Sequence, residues 1–372
     1  MMIRSDALAK SGGDTVQMLQ YKRVLEDLGI HVDVCAGTRA DFSSYDLVHL
    51  FNIDRPLETL AQMTRAKTAG KPVVLSPVHQ ARRFVEAYER REGQYLDRIV
   101  RAIPIGFRER GKDLARVVRG NADFAAWWAL ARLGGIRAKR RILRSVDAAM
   151  LLARAEGEEI VRDFGVLPRR AYVVYNGCNA GRITPGAREQ ADRLLGQLSE
   201  FVLSVGRIER GKNQLGLLNS LAETGLPLVF VGRVNPWHRV YAGRFFRQVE
   251  KYPHVHYLGW IDPDVMPEIY ARARVHVLAS WFEACPLVDL EAACYGCRVV
   301  TTTRSYAREY AREFAVFCEP EDGDGIRQAV LDSFKSGRSM GMARAVAERF
   351  SWERAGTALL RAYDEILADG RA

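Results

Sequence analysis

Short apolar, β-branched runs alternate with longer amphipathic ones along most of this chain. In the first half, Met2–Arg4, His31–Cys35, Leu47–Phe51, Pro72–Leu75, Ala148–Leu152 and Tyr172–Tyr175 read as strands, each brief and bounded by polar or turn residues. Asp14–Leu28, Pro56–Thr68 and Glu156–Phe164 fall between them and read as helices. The pattern lapses from about Asn179 to Glu200 and restarts. Phe201–Val205, Pro227–Val231, His254–Leu258, Val275–Leu278, Arg298–Thr302 and Ala315–Phe317 form a second set of strands, again with helices between. Such alternation predicts parallel sheets covered on both faces. The expected fold class is α/β, with two doubly wound, Rossmann-like domains: residues 1–180, then residues 199–350 after a linker near 179–198. A last helix, Trp352–Leu367, is expected to pack back on the first domain as part of a segment 351–372. Such sheets bind ligands beyond the carboxyl ends of their strands, and two of them place the natural site in the cleft between.

Composition adds little to this until charge is located. The 372 residues are 48% hydrophobic and 27% charged, a globular mixture with room for two domains. No N-terminal stretch has the apolar core of a signal peptide, and no run approaches the roughly 18–20 apolar residues of a membrane span. Six cysteines at irregular spacing do not read as a disulfide framework. Cys294-Tyr295-Gly296-Cys297 has no second pair to complete a zinc site, and reads as a buried helix end entering a strand. A reducing, cytoplasmic setting is expected. The net charge is +10, and Ala81–Ser145 alone holds 17 Lys/Arg against 7 Asp/Glu. Phe84, Tyr88, Tyr95, Phe107, Phe124, Trp127 and Trp128 are interleaved there. This composition suits an anionic membrane surface as well as a solvated helical face. No nucleic-acid motif accompanies it, so nucleic acid is not the expected partner.

Three loops carry candidate chemistry, each after a predicted strand. Ser11-Gly12-Gly13-Asp14-Thr15 opens the first helix. Its glycines let a ligand approach the backbone and its free amides favour an anion, although a tight turn capped by Asp14 or Thr15 reads equally well. It is not a GxGxxG. Gly206-Arg207, followed by Lys212, ends Phe201–Val205 and leads into a helix; two cations there suit a diphosphate. In Trp281–Ala292, Glu283 and Glu291 are separated by seven residues that span a predicted helix start, with Pro286 suited to the first turn. Carboxylates at that place suit sugar and ribose hydroxyls, and the amides of Leu287 and Val288 suit sugar oxygens.

With Tyr175-Asn176-Gly177, Ser204-Val205, Val231-Gly232, Leu258-Gly259 and Phe350-Ser351-Trp352, these motifs run in one order over nearly the whole chain. The set resembles the family 4 glycosyltransferases of the GT-B fold. The resemblance implies sugar transfer from a nucleotide-diphosphate donor with retained anomeric configuration, no cofactor and no required metal, and a glycan or lipid-linked acceptor. It implies that Arg207 and Lys212 hold the diphosphate and stabilise the leaving group, Glu283 grips the donor sugar and Glu291 the ribose. It further implies that Gly259-Trp260-Ile261 meets the base, that Gly206 belongs to the donor loop, and that Gly12 and Gly13 approach phosphates and acceptor. His79 stands where the family often has a histidine near the reacting sugar, whereas His49 reads as packed within its strand. The chain departs from the family at Ala284-Cys285-Pro286, where Glu-Gly-Phe-Gly is common. It also departs at Ser305-Tyr306-Ala307, which lacks the usual glycines, and in residues 90–140, which read as an enlarged acceptor-side insertion. Two other readings stay open: a nucleotide-sugar epimerase on the same fold, and a non-catalytic nucleotide- or glycan-binding protein.

Overall fold

The computed structural model describes residues 1–9, 12–38, 40–92, 134–181 and 183–369. Ser11 and most of the basic segment, including Tyr95, Phe107, Phe124, Trp127 and Trp128, lie outside them. The first sheet contains β1 (Met2–Ile3), β2 (Cys35–Ala36), β3 (Val48–Phe51), β4 (Val73–Ser76), β5 (Ala148–Leu151) and β6 (Arg170–Val173), in the order β2-β1-β3-β4-β5-β6. Its pairings are parallel. The helices of this part are α1 (Gly13–Asp27), α2 (Pro56–Thr68), α3 (Arg82–Glu92), α4 (Gly135–Ser145) and α5 (Arg154–Phe164).

The second sheet contains β7 (Phe201–Val205), β8 (Leu228–Val231), β9 (Val255–Tyr257), β10 (Ala273–Leu278), β11 (Arg298–Thr302) and β12 (Ala315–Cys318), in the order β12-β11-β10-β7-β8-β9. It too is parallel. Around it lie α6 (Pro185–Leu195), α7 (Gln214–Leu221), α8 (Arg239–Val249), α9 (Met266–Arg272), α10 (Leu287–Cys294), α11 (Gly323–Ser336) and α12 (Met340–Arg349); α13 (Trp352–Asp369) ends the described chain. Among the described residues, one compact unit reaches Arg83, resumes from Glu89 to Asn176, and takes in α13 from Trp352. The other comprises Phe84–Tyr88 and Gly177–Ser351.

The period of two along the strands builds the double covering. Phe201, Leu203, Val229 and Val231 face one core with Ile269 and Ala191, while Val202, Leu228 and Phe230 face another with Leu218, Phe245 and Val330. Phe230 and Phe245 meet edge to face, with centroids 5.0 Å apart. Each such buried side chain contributes about 1.5–3 kcal/mol. In the first unit, α13 covers α1: Trp352 meets Tyr21 edge-on at 6.0 Å, and a Cβ on Gly356 would stand 2.7 Å from Val24. The Tyr363 hydroxyl and the Ser76 hydroxyl flank the His49 ring at 2.5 and 2.9 Å. His49 is buried, as its place within β3 indicated.

The strand order reverses between β1 and β3 in the first sheet and between β7 and β10 in the second. The loops after these strands therefore flank the two switch points, where doubly wound sheets bind ligands. Three expectations are corrected. His31–Val34 lie outside any strand, because only Cys35 and Ala36 find partners on β1. The linker near 179–198 contains α6, which starts at a Thr184 cap and Pro185 and buries Ala187, Ala191 and Leu195 at a four-residue spacing. Cys294 is bonded to Cys178, 116 residues away, while Cys297 is free and buried.

Candidate functional site

In the second unit the polypeptide leaves β7 at Gly206, passes a 3-10 turn at Arg210–Lys212 and enters α7. The Lys212 stem lies over Gly206, whose position would place a Cβ 3.6 Å from Lys212 Cδ. On the other side of the switch point the chain leaves β10 and runs to α10. The Trp281 amide donates to the Gly211 carbonyl at 2.9 Å, and the Glu283 amide to the Arg304 carbonyl at 2.9 Å. Ser305 Oγ donates to the Ala284 carbonyl at 2.9 Å, and the Arg304 guanidinium stands 5.3 Å over the Trp281 ring. So pinned, the loop brings Glu283 Oε1 to 2.5 Å from Lys212 Nζ, with both side chains largely buried. The cation and the first glutamate singled out in the sequence thus form one ion pair.

Arg207 is placed differently. Its guanidinium is 55% exposed and 3.3 Å from Glu209, which also accepts a 2.5 Å bond from Asn235. It lies at the rim, paired with its own loop. Behind it, the Gly206 amide donates to the Val231 carbonyl at 2.8 Å, and the Gly232 amide to the Gly259 carbonyl at 2.7 Å. Gly232 has φ +144°, and a Cβ there would stand 2.0 Å from the Gly206 carbonyl oxygen. Only glycine lets the ends of β7 and β8 come this close.

Pro286 is the residue before α10 rather than part of its first turn, with φ −68° and ψ 120°. No side chain caps α10, so the amides of Leu287 and Val288 begin the helix without intrahelical partners. Glu291 follows in the second turn and accepts a 2.9 Å bond from the Tyr270 hydroxyl. Burial raises the Glu291 carboxyl above its ordinary pKa, against the bond from Tyr270. Trp260 is 54% exposed, with the Arg233 guanidinium 4.6 Å over its ring. Ile261, by contrast, is packed in the core with Val231 and Val265. Within the 259–261 stretch, Ile261 thus has its backbone rather than its side chain left to face a base.

In the first unit Gly12 precedes α1 and Gly13 opens it, but an internal carboxylate stands at the same helix start. Asp14 is buried, accepts from Arg4 Nε at 3.0 Å and from Asn52 Nδ2 at 3.0 Å, and takes the Thr15 amide at 2.8 Å. Burial opposes its ionisation, yet these partners lower its pKa. His79, three residues beyond β4, is buried in a cluster the sequence did not announce. Its Nε2 is 2.8 Å from Asp163, its Nδ1 is 3.8 Å from Asp54, and its amide donates to Glu156 at 2.7 Å. Lys139 Nζ holds Asp54 at 2.7 Å. Burial disfavours the charged ring, but Asp163 and Asp54 outweigh it and push the His79 pKa up to about 9. Burial pushes Glu156 up to about 7. Asn52 and Val78, at the ends of β3 and β4, have φ of 75° and 48°, a strained conformation for side-chain-bearing residues and most of all for β-branched valine.

This cluster makes stability pH-dependent. A histidine whose folded pKa exceeds the ordinary 6.5 stabilises fully below pH 6.5, and that contribution is lost as pH rises through about 9. Glu156 acts in the same direction at lower pH, between 4.5 and about 7. Thermal unfolding between pH 6.5 and 9 is expected to show a falling stability, at most about 1.4 kcal/mol per pH unit for the one proton. Asp163→Asn flattens that leg; an unchanged slope contradicts the pairing.

Asp54, Lys139, Asp163 and Tyr270 were not picked out from the sequence. They act through contacts between distant elements, and no local spacing signals them.

Comparison with known proteins follows the geometry. Residues 188–348 match the sequence profile of "Glycosyl transferases group 1". The chain is 27% identical over 243 residues to O-antigen chain mannosyltransferase B of Escherichia coli, across 60% of this chain and 63% of that protein. It is 28% identical over 191 residues to a Campylobacter jejuni N-acetylgalactosamine-N,N'-diacetylbacillosaminyl-diphospho-undecaprenol 4-alpha-N-acetylgalactosaminyltransferase, across 49% of this chain and 50% of that one. The chain thus matches between half and two thirds of the length of these relatives. Sucrose-phosphate synthase from Thermosynechococcus elongatus superposes with a TM-score of 0.72 at 16% identity, covering 99% of this chain and 98% of that one. Anabaena HepE in complex with UDP superposes with a TM-score of 0.68 at 14% identity, covering 98% of each. The fold is GT-B, two Rossmann-like domains with parallel sheets, and residues 188–348, within the second unit, are similar to the glycosyl transferases group 1.

Proposed function

We propose that this chain is a retaining, family 4 glycosyltransferase. It moves a sugar from a nucleoside-diphosphate sugar to a glycan or lipid-linked acceptor in the synthesis of a cell-surface polysaccharide or glycoconjugate. The observation that carries the reading is the Lys212–Glu283 ion pair at the switch point of the second sheet, with Glu291 on the helix that follows. In this reading the ion pair opens toward the donor. Lys212, joined by Arg207 from the rim, meets the diphosphate, and Glu283 accepts hydrogen bonds from the sugar hydroxyls. The amides of Leu287 and Val288 and the loop at Gly206 serve the same donor, and Glu291 takes the ribose. Trp260 and the backbone of Gly259 and Ile261 meet the base. As the glycosidic bond to the diphosphate breaks, negative charge develops on its oxygens, and the fixed cations stabilise that charge. Gly12 and Gly13 are assigned to phosphates and acceptor, and His79 to the reacting sugar. No metal or cofactor enters this reading.

The relative named for a diphospho-undecaprenol-linked sugar supports a lipid-linked acceptor, and the one named for the O-antigen chain supports a glycan product. The basic segment 81–145 supports a site of action on an anionic membrane from the cytoplasmic side. Within it, α4 buries Ala138, Ile142 and Leu143 and exposes Arg137, Arg141 and Arg144. Among the described residues no helix is long and apolar enough to cross a membrane.

The test is a panel of nucleotide sugars against glycan acceptors and polyprenyl-linked acceptors in anionic vesicles, read at low salt by vesicle flotation, nucleoside diphosphate release and the anomeric configuration of the product. Acceptor-dependent release with retained configuration, and flotation with the vesicles, are expected. Absence of transfer with every pair overturns the enzyme assignment. Conversion of a nucleotide sugar without acceptor makes the chain an epimerase, and tight binding without turnover makes it a binding protein.

A further inference from the structure

We infer that Tyr270 is a positioning residue for nucleotide binding: its hydroxyl sets the orientation and charge of Glu291. The inference rests on the proposed role of Glu291 at the ribose.

Tyr270 is on α9, and its ring is buried. Tyr295 holds its ring and Cys297 its backbone. The ring stacks on Tyr295 with centroids 6.1 Å apart and planes 9° from parallel. The Tyr295 hydroxyl donates to the Gly181 carbonyl at 3.2 Å, which holds the second ring in turn. The Tyr270 carbonyl accepts from Cys297 Sγ at 3.1 Å. A hydroxyl so held has little freedom, and it is spent on Glu291 Oε2 at 2.9 Å.

Glu291 needs such a partner. Burial raises its pKa, which favours the neutral acid, while the Tyr270 bond favours the carboxylate. A carboxylate accepts from both ribose hydroxyls, whereas the neutral acid must spend one oxygen as a donor. With Oε2 engaged by Tyr270, Oε1 is the oxygen left to face a ligand, and the rotamer of Glu291 is set before the nucleotide arrives. A fixed, charged acceptor avoids the cost of ordering the side chain on binding.

The test uses the full chain and Tyr270→Phe, which keeps the ring and its stacking and removes only the hydroxyl. UDP and GDP are titrated by calorimetry, each against its 2′,3′-dideoxy analogue, with Glu291→Ala in parallel. The expected result is a Kd for the ribonucleotide about tenfold weaker in Tyr270→Phe. The dideoxy analogue is expected to bind wild type and variant alike. Affinity in the wild type falls as pH drops through the Glu291 pKa, and in Tyr270→Phe this fall moves to higher pH. In turnover, KM for the donor rises while kcat holds. Unchanged ribonucleotide Kd and pH profile in Tyr270→Phe, alongside weakened binding in Glu291→Ala, overturn the role of Tyr270 alone. Unchanged binding in Glu291→Ala overturns the ribose assignment and this inference with it.

Discussion

Lys212→Ala is expected to lower kcat for sugar transfer by about 10²–10³-fold, with a smaller change in donor KM. The size follows from where the ammonium stands. It is at the carboxyl end of β7, 2.5 Å from Glu283 and mostly shielded from water, where a fixed cation acts on developing diphosphate charge with little screening. The substitution also leaves Glu283 without its cation, at 11% side-chain exposure, so sugar binding is disturbed as well. Lys212→Arg is the informative control. It keeps the charge but replaces a compact ammonium on a flexible stem by a planar fork, and an intermediate kcat is expected. Steady-state kinetics with a saturating acceptor decide the matter. A kcat for Lys212→Ala within threefold of wild type would remove Lys212 from the catalytic set. Arg207→Ala is expected to act more weakly, because its guanidinium is exposed at the rim and engaged with Glu209.

Gly232→Ala is expected to be the most destabilising substitution near the site, by about 4 kcal/mol, or roughly 8–16 °C in Tm. Gly232 sits at φ +144°, and the added Cβ would lie 2.0 Å from a backbone oxygen, that of Gly206. No flexible side chain can move aside; the ends of β7 and β8 must separate, and Lys212, whose stem lies over Gly206, shifts with them. Gly259→Ala provides the comparison. It also has a positive φ, +72°, but meets nothing within 4 Å, so it carries only the conformational cost of roughly 1–2 kcal/mol. Thermal unfolding of the two variants separates close approach from conformation. Equal Tm losses would contradict the packing argument.

Much of the fold was legible because its signals are local. The apolar runs at Val48–Phe51, Phe201–Val205 and Arg298–Thr302 are buried strands of two parallel sheets, and Pro56–Thr68 is the helix its spacing predicts. The errors have physical causes. His31–Val34 has strand-like residues but no neighbouring strand beyond Cys35 to pair with. The 185–195 helix is marked by a Thr-Pro start and Ala187, Ala191 and Leu195, yet its many charged residues mask so narrow an apolar stripe. Pro286 lies before the helix because its ψ of 120° is extended, which proline allows as readily as a first-turn place.

The candidate site divides along the same line. Gly206, Lys212 and Glu283 were legible as residues past strands on expected loops, and Glu291 as a carboxylate in the helix that follows. What joins them was not. The Lys212–Glu283 pair needs β7 and β10 to be neighbours, which strand order alone decides. His79 was singled out, but not the Asp163, Asp54 and Lys139 around it, and Glu291 was singled out without Tyr270. The Cys178–Cys294 bond was missed for the same reason: its partners are 116 residues apart in sequence.

The central claim is that the carboxyl end of the second sheet binds a nucleotide sugar through the Lys212, Glu283 and Glu291 set. Its most direct test is a thermal-shift screen of wild type and Glu291→Ala against nucleoside diphosphates and nucleotide sugars. The account predicts that one nucleotide class stabilises the wild type by roughly 2.7 kcal/mol at about 100 times its Kd, and that Glu291→Ala loses most of that stabilisation. A wild-type chain stabilised by none of them, or a Glu291→Ala variant stabilised equally, would contradict it.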